Sequence, residues 1–334
     1  MKVSIFDVAK KSGLSVVTVS RVINQAGTVR EGNRQKVLQA MKELDYQPNA
    51  AARSLARGKT GIIGVAISTL NDSFFDAVVK EMDDRLAERG YFLALSVSTD
   101  VFKSFENSLF QEDRVDGLVV LSPTNEFAYV TELEKKKIPF VLIDNQYCHE
   151  SVSSVIVDNF IGGYEATKHL IDLGHQTIAH IRGPEPFLSS AERERGYIHA
   201  MLEAGLTELW IEQGEFSVSS GYDIADGWIR NVKVPTAVLA ADDFIAIGLM
   251  DAFKTVGYQI PKDISIVGFD DQVFASEFRP HLTTVRQPAG ELGRCAVDEL
   301  IRKINGVADA DTYHTIKLLP ELVVRQSTAK RFHK

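Results

Sequence analysis

Cysteine is nearly absent. Only Cys148 and Cys295 occur in 334 residues, which is too few for a disulfide framework and lacks the spacing of a zinc cluster, so both are expected as buried free thiols. Long apolar runs are missing as well, and nothing approaches the ~20 residues that span a bilayer. The opening MKVSIFDVAKKSG has no apolar stretch followed by a small-residue cleavage site, so a cytoplasmic protein with no membrane partner is expected. Signatures of catalysis are missing too. No G-x-G-x-x-G opens a helix after a strand, no G-x-x-x-x-G-K-S/T occurs, and there is no G-x-S-x-G elbow; redox and phosphoryl-transfer enzymes lose their main support. The eight histidines are scattered, and neither His175 nor His180 has a cysteine or second histidine at metal spacing. No catalytic residue, cofactor or metal site is therefore expected.

What is present describes a soluble, globular chain of two or three domains, with 45% hydrophobic and 25% charged residues. Its net charge of −8 is divided unevenly. Residues 1–60 carry eleven Lys or Arg against four acids, a net of +7, and the remainder carries −15. A basic head on an acidic body suits a protein of which one domain meets a polyanion and the other does not; a solvated basic face is the alternative that charge alone leaves open.

The head, residues 1–47, reads as all-helical. In IFDVAKKSGLSVVTVSRVIN, Ile5, Val8 and Ala9 share one helical face, and Val19, Val22 and Ile23 share another. Gly13 falls where a tight turn needs a permissive backbone, and Ser15 is placed to cap the second helix. A third helix puts Val37, Ala40, Met41 and Leu44 on its buried stripe. This is helix-turn-helix chemistry, with a generic three-helix bundle as its alternative. The second helix decides for double-stranded DNA: Ser15, Thr18, Ser20 and Asn24 suit phosphate contacts, Arg21 has the fork geometry for a guanine edge, and Val16 and Val17 offer apolar contact to a thymine methyl.

Residues 48–60 form a hinge. Asn49 can cap a helix of about two turns, Ala50 to Ala56, too short to persist unless something docks it. Ala52 and Arg53 join Asn49 as candidate DNA contacts. Leu55, between Arg53 and Arg57, is either a wedge inserted at a minor-groove base step or a linker residue tucked against the body.

From residue 61 to 326, compact apolar runs such as GIIGVAIS, DGLVVLS, AVLAADD and ISIVGFD alternate with helical stretches such as FFDAVVKEMDDRLAERG. About ten strands in this length imply two α/β lobes, each a doubly wound parallel sheet. Ligands of such folds sit beyond the carboxyl ends of strands. Ser68, Asp144, Asp242, Asp270 and Gln287 fall there. In the pairs Asp242-Asp243 and Asp270-Asp271, one member should face the cleft and the other support a turn, because neighbours on a strand point opposite ways. With Arg193 these groups suit sugar hydroxyls. Phe216 offers either a ring on which a pyranose stacks or an ordinary core residue.

The motifs DVAKKSGLSVVTVSRVIN, YQPNAAARSLARGKTGIIGV, TKHLIDLGHQTIAHIRGP, AADDFIAIG, DISIVGFDD and RPHLTTVRQP resemble, in order and nearly end to end, the lactose- and galactose-repressor (LacI-type) family. The resemblance implies a homodimer binding operator DNA, with Leu55 as the minor-groove wedge and a core like periplasmic sugar-binding proteins. It implies three crossovers near residues 157, 287 and 318. Lobe 1 would then take about 61–157 plus 288–318, and lobe 2 about 158–287 plus 319–326, with 327–334 a tail. Base-reading positions fall on Val16, Val17 and Arg21. Effector positions fall on Ser68, Asp144, Arg193, Phe216, Asp242, Asp270 and Gln287, with Asn71, Asp72 and Phe75 lining the cleft. Asp242 stands where many members have asparagine, and Ala289 where the lactose-responsive member has an aromatic; both argue against a lactose-type ligand. The end of the chain lacks the leucine heptads that tetramerise that member, so a dimer is expected. The expected function is repression of carbohydrate-utilisation genes under a small sugar effector. The alternative is a catabolite-control-type regulator with a phosphorylated carrier protein as corepressor.

Overall fold

Three short amphipathic helices build the amino-terminal unit. In the computed structural model, which describes residues 3–24, 28–47, 59–97, 114–123, 125–147, 151–306 and 312–331, α1 runs Ile5–Ser12, α2 Val16–Ile23 and α3 Glu31–Glu43. The Asp7 carboxylate accepts from the Ser4 backbone N–H and hydroxyl at 2.9 and 2.7 Å, fixing the start of α1. Gly13 ends it at φ +68°, a left-handed backbone that strains any side chain. Ser15 then accepts from the Thr18 N–H at 3.2 Å and starts α2. Val8, Ala9, Val19, Val22, Val37 and Ala40 are buried in one small core, with Ile5, Ile23, Met41 and Leu44 packed around it. This unit extends to Gly61, and a second begins at Ile62. The hinge candidates Asn49, Ala52, Arg53 and Leu55, and Cys148, lie outside the described residues.

The second unit alternates strand and helix. One lobe contains β1 (Ile62–Ile67), α4 (Ser73–Glu88), β2 (Phe92–Val97), β3 (Gly117–Leu121), α5 (Glu126–Lys135), β4 (Phe140–Ile143) and β5 (Ser154–Val157). The other contains α6 (Asn159–Asp172), β6 (Ile178–Arg182), α7 (Leu188–Glu203), β7 (Trp210–Gln213), α8 (Val218–Arg230), β8 (Ala237–Ala240), α9 (Asp243–Thr255), β9 (Ser265–Asp270) and β10 (Thr283–Arg286). The chain returns to the first lobe for α10 (Ala289–Ile304) and β11 (Thr315–Leu318), then to the second for β12 (Glu321–Val323). Lobe 1 holds a sheet ordered β11-β5-β4-β3-β1-β2, and lobe 2 one ordered β12-β10-β9-β8-β6-β7. Pairing is parallel throughout lobe 1 and in lobe 2 except for the antiparallel β10–β12 edge.

Central strands are buried along their length: GLVVL, FVLI and AVLA have no exposed position, because helices cover both faces. The twelve described strands exceed the ten read from sequence. Three of them, β7, β11 and β12, are edge strands of three or four residues without a fully buried position, so they carry no continuous apolar run. Residues 327–331, placed in the tail from sequence, pack against lobe 2. Ser327 is fully buried; its hydroxyl donates to the Ile266 carbonyl at 2.6 Å and accepts from the Thr283 N–H at 2.7 Å. The Arg331 N–H donates to the Leu173 carbonyl at 2.7 Å, so these residues seal the end of lobe 2. Cys295 is a half-buried free thiol at the edge of the lobe 1 core. No described helix is long and apolar enough to cross a membrane.

Candidate functional site

Parallel sheets leave their carboxyl-terminal strand ends facing one another across the two lobes, and a cavity of about 450 Å³ lies there. Ser68 follows β1; Asn71, Asp72 and Phe75 belong to the loop and first turn of α4; Asp144 follows β4. From lobe 2 come Arg193 on α7, Phe216 before α8, Asp242 at the start of α9, Asp270 at the end of β9 and Gln287 after β10. All ten line this one cavity. Eight further residues complete its wall: Thr69, Phe74, Ser122, Phe187, Ser189, Ser217, Val218 and Phe244. Of these, Ser122 carried a readable signal, since it ends the DGLVVLS strand just as Asp144 ends PFVLID.

Arg193 is the organising cation and is almost fully buried. Its Nε donates to Asn159 at 2.9 Å, its Nη1 to the Ala241 carbonyl, and its Nη2 faces Asp270 at 3.4 Å. The guanidinium lies 3.7 Å from the centre of the Phe269 ring, a contact that favours the planar group of arginine over an ammonium. Gln287 donates to the same Asp270 oxygen at 2.6 Å. Asp144 accepts from the Ser122 hydroxyl at 2.9 Å, and Asp72 accepts from the Phe74 N–H at 2.9 Å, capping α4. Asp242 accepts from the Ile245 N–H at 2.7 Å, capping α9. Phe216 packs on the lobe 2 core and meets Phe187 at a centroid distance of 5.4 Å. A Cβ at Gly183 would come within 2.3 Å of the Phe216 ring, so glycine is what lets that ring lie over the end of β6.

The paired acids divide their work, for a reason other than strand alternation. Asp242 and Asp243 follow β8 and open α9, where the cap faces the cavity and the next residue turns inward. Asp243 is fully buried; it accepts from the Thr284 hydroxyl at 2.6 Å and from the Gln272 N–H at 2.7 Å. At the second pair, Asp270 and Asp271 both adopt positive φ, +104° and +55°, a strained turn held in place because Asp271 binds Arg286 at 2.7 Å and Arg325 at 2.6 Å.

Two glutamines, neither singled out from sequence, join the lobes at the rim of the cleft. Gln272, in lobe 2, donates to Asp72 at 2.6 Å and accepts from the Ser73 N–H at 3.0 Å. Gln146, in lobe 1, accepts from the Leu188 N–H at 2.8 Å.

Burial dominates the electrostatics. It raises the carboxyls of Asp144 and Asp242 against the helping Ser122 bond and Arg193, and Asp270 adds to the rise at Asp242. Asp270 is pushed up to about 6 by burial, with Arg193 opposing. A carboxyl raised in the folded state stabilises the fold when protonated at low pH and loses that contribution as pH rises through its folded value. Asp242→Asn keeps the helix cap and removes the charge. Thermal unfolding of the empty protein is therefore expected to show Asp242→Asn more stable by roughly 2–4 °C above neutral pH, an advantage that vanishes near pH 4. Equal stabilities at pH 8 would contradict this.

On the head, Val17 is 61% exposed and Arg21 is exposed beside it on α2, with no acidic partner among the described residues. Ser20 and Asn24 are half-buried on the same flank, Asn24 donating to Ser20 at 3.4 Å, and the Thr18 hydroxyl bonds that of Ser15 at 2.9 Å. Val16, read with Val17 as an apolar contact to a thymine methyl, packs against the head core, because it lies three residues from buried Val19 on the inward side of α2.

The lacI family of bacterial regulatory proteins matches residues 4–49, and a periplasmic binding protein-like domain matches residues 167–328. The HTH-type transcriptional regulator DegA of Bacillus subtilis is 36% identical over 337 residues, spanning 98% of this chain and 99% of DegA. The HTH-type transcriptional repressor PurR of Proteus mirabilis is 38% identical over 333 residues, spanning 98% and 97%. The solved lac repressor dimer, bound to operator and the anti-inducer ONPF, superposes with a TM-score of 0.87 at 31% identity, covering 98% of this chain and all of its own. With such likeness along nearly its whole length, the chain belongs to the lacI family of bacterial regulatory proteins and is a DNA-binding transcription regulator, not an enzyme.

Proposed function

We propose that the protein is a homodimeric repressor of carbohydrate-utilisation genes, whose grip on operator DNA is set by a small sugar-like effector held between the lobes. The observation that carries this reading is the cavity itself: carboxylates from both lobes, a buried guanidinium, a glutamine and several phenylalanine rings meet around one small space. Carboxylates each take two hydroxyl donors, and rings cover the apolar face of a sugar. The likeness to an operator-bound lac repressor dimer supports two heads on one duplex, with Leu55 as a wedge in the minor groove between them.

A ligand that touches Asp144 on one lobe and Asp242 and Asp270 on the other alters the angle between them, in competition with the Gln272 and Gln146 contacts at the rim. Such a ligand shifts the equilibrium only by its differential affinity, ordinarily about 1–3 kcal/mol of coupling.

Base reading is assigned to Val17 and Arg21, with Ser15, Thr18, Ser20 and Asn24 on phosphates and Val16 supporting the helix from inside. Selection of duplexes from a random pool is expected to return a pseudo-palindrome. Arg21→Ala is expected to weaken binding to it by about 1–3 kcal/mol and to relax one base position in each half-site. Uniform weakening across all sequences would make Arg21 a phosphate contact instead. Failure to enrich any sequence would contradict operator recognition.

A further inference from the structure

The cavity's charge is out of balance. Asp72, Asp144, Asp242 and Asp270 line it, and Arg193 is the single cation among its described lining residues. That cation is already committed to Asn159, the Ala241 carbonyl, Asp270 and the Phe269 face. Each carboxylate has one oxygen engaged by the protein: Asp72 Oδ1, Asp144 Oδ2, Asp242 Oδ1 and Asp270 Oδ1. The other oxygen of each has no protein donor among the described residues. Asp242 is the most telling, being only 3% exposed while still lining the cavity with that oxygen open.

A ligand here must bring donors and is favoured if it brings positive charge. A phosphate or carboxylate would meet four carboxylates set against the one cation, Arg193. A hydroxyl supplies one donor and asks for an acceptor's partner in return; an ammonium supplies three donors, asks for none and cancels charge. Phe75, Phe187, Phe216 and Phe244 also line the cavity, and ring faces attract cations as well as sugar rings. Its volume lies within the roughly 300–1,000 Å³ usual for small-molecule sites.

We propose that the effector is a small unphosphorylated polyol bearing a protonated primary amine, an amino sugar or amino-polyol, and that Asp242 is the residue that reads the ammonium. This rests on the reading of the cleft as a polyol site. The upward push that Asp270 exerts on Asp242 fits the proposal, since a cation between them relieves it.

The test is calorimetric titration of the full chain with glucosamine, galactosamine, mannosamine and 1-amino-1-deoxyhexitols. Alongside them run their hydroxyl parents and their 6-phosphates. At least one amine is expected to bind tenfold or more tighter than its parent, with the phosphates not binding. Asp242→Asn, which still caps α9, is expected to lower amine affinity at least tenfold and to erase the amine's advantage over its hydroxyl parent. Parents binding as tightly as the amines overturn the amine assignment and leave the polyol reading standing. An amine preference that survives Asp242→Asn overturns the role of Asp242. If neither amines nor parents bind, both the amine proposal and the polyol reading fall.

Discussion

Arg193→Ala is expected to abolish effector binding, lowering affinity by a hundredfold or more, while leaving operator binding intact. The guanidinium holds four groups from three parts of lobe 2: Asn159 at the start of α6, the Ala241 carbonyl after β8, and both Asp270 and the Phe269 ring at the end of β9. Removing it leaves Asp270 buried without its counter-charge, a loss of about 3–5 kcal/mol for a buried pair broken on one side. Asp270 sits on a strained turn, so the loss is spent partly in moving that turn away from the cavity. Arg193→Lys is expected to rescue little, because an ammonium cannot reach two acceptors in one plane and stack on Phe269 at the same time. Calorimetry with the effector, thermal unfolding and operator binding separate the three consequences. An Arg193→Ala protein that binds effector normally would remove Arg193 from the site.

Gly163→Ala is expected to be nearly as damaging, although Gly163 is not among the residues lining the cleft. α6 and α7 cross with their backbones touching. A Cβ at Gly163 would lie 2.3 Å from the Arg193 carbonyl oxygen, and one at Gly196 would lie 2.2 Å from that of Phe160. Backbone cannot step aside as a side-chain tip can, so the helices must part, at about 3 kcal/mol and a fall in Tm of roughly 6–12 °C. Because the obstructed residue is Arg193, effector affinity should fall with stability. Gly227→Ala on α8 is the control: its Cβ meets nothing within 4 Å, and alanine there is expected to be neutral or stabilising by about 0.5–1 kcal/mol. If Gly163→Ala behaves like Gly227→Ala, the close crossing does not position Arg193.

What could be read in advance follows from which physical signals leave a mark in one dimension. Buried central strands such as GLVVL and AVLA must be apolar throughout, so the two parallel-sheet lobes were legible. The polar residues immediately after such strands mark the cleft, and Ser68, Asp144, Asp242, Asp270 and Gln287 all face the one cavity. Edge strands β7, β11 and β12 were not legible, since half-exposed residues carry no run. Phe187 and Phe244 look like any core phenylalanine, and their place in the wall depends on tertiary packing. Gln272 and Gln146 were missed for the same reason: a glutamine that bridges two lobes differs in no local respect from one on the surface. Ser327 is polar and near the chain end, so nothing announced that it is sealed into lobe 2. Val16 and Val17 are chemically alike, so both read as apolar base contacts, but the 3.6-residue period, taken from Val19, turns Val16 toward the head core.

The most direct test of the central claim is the affinity of the full chain for its selected operator, at fixed salt, with and without a saturating ligand found to bind the cleft. A polyol that binds wild type and not Arg193→Ala is predicted to weaken operator binding at least fivefold in wild type and to leave Arg193→Ala unchanged. Unaltered operator affinity in wild type, with the cleft shown to be occupied, would contradict the account.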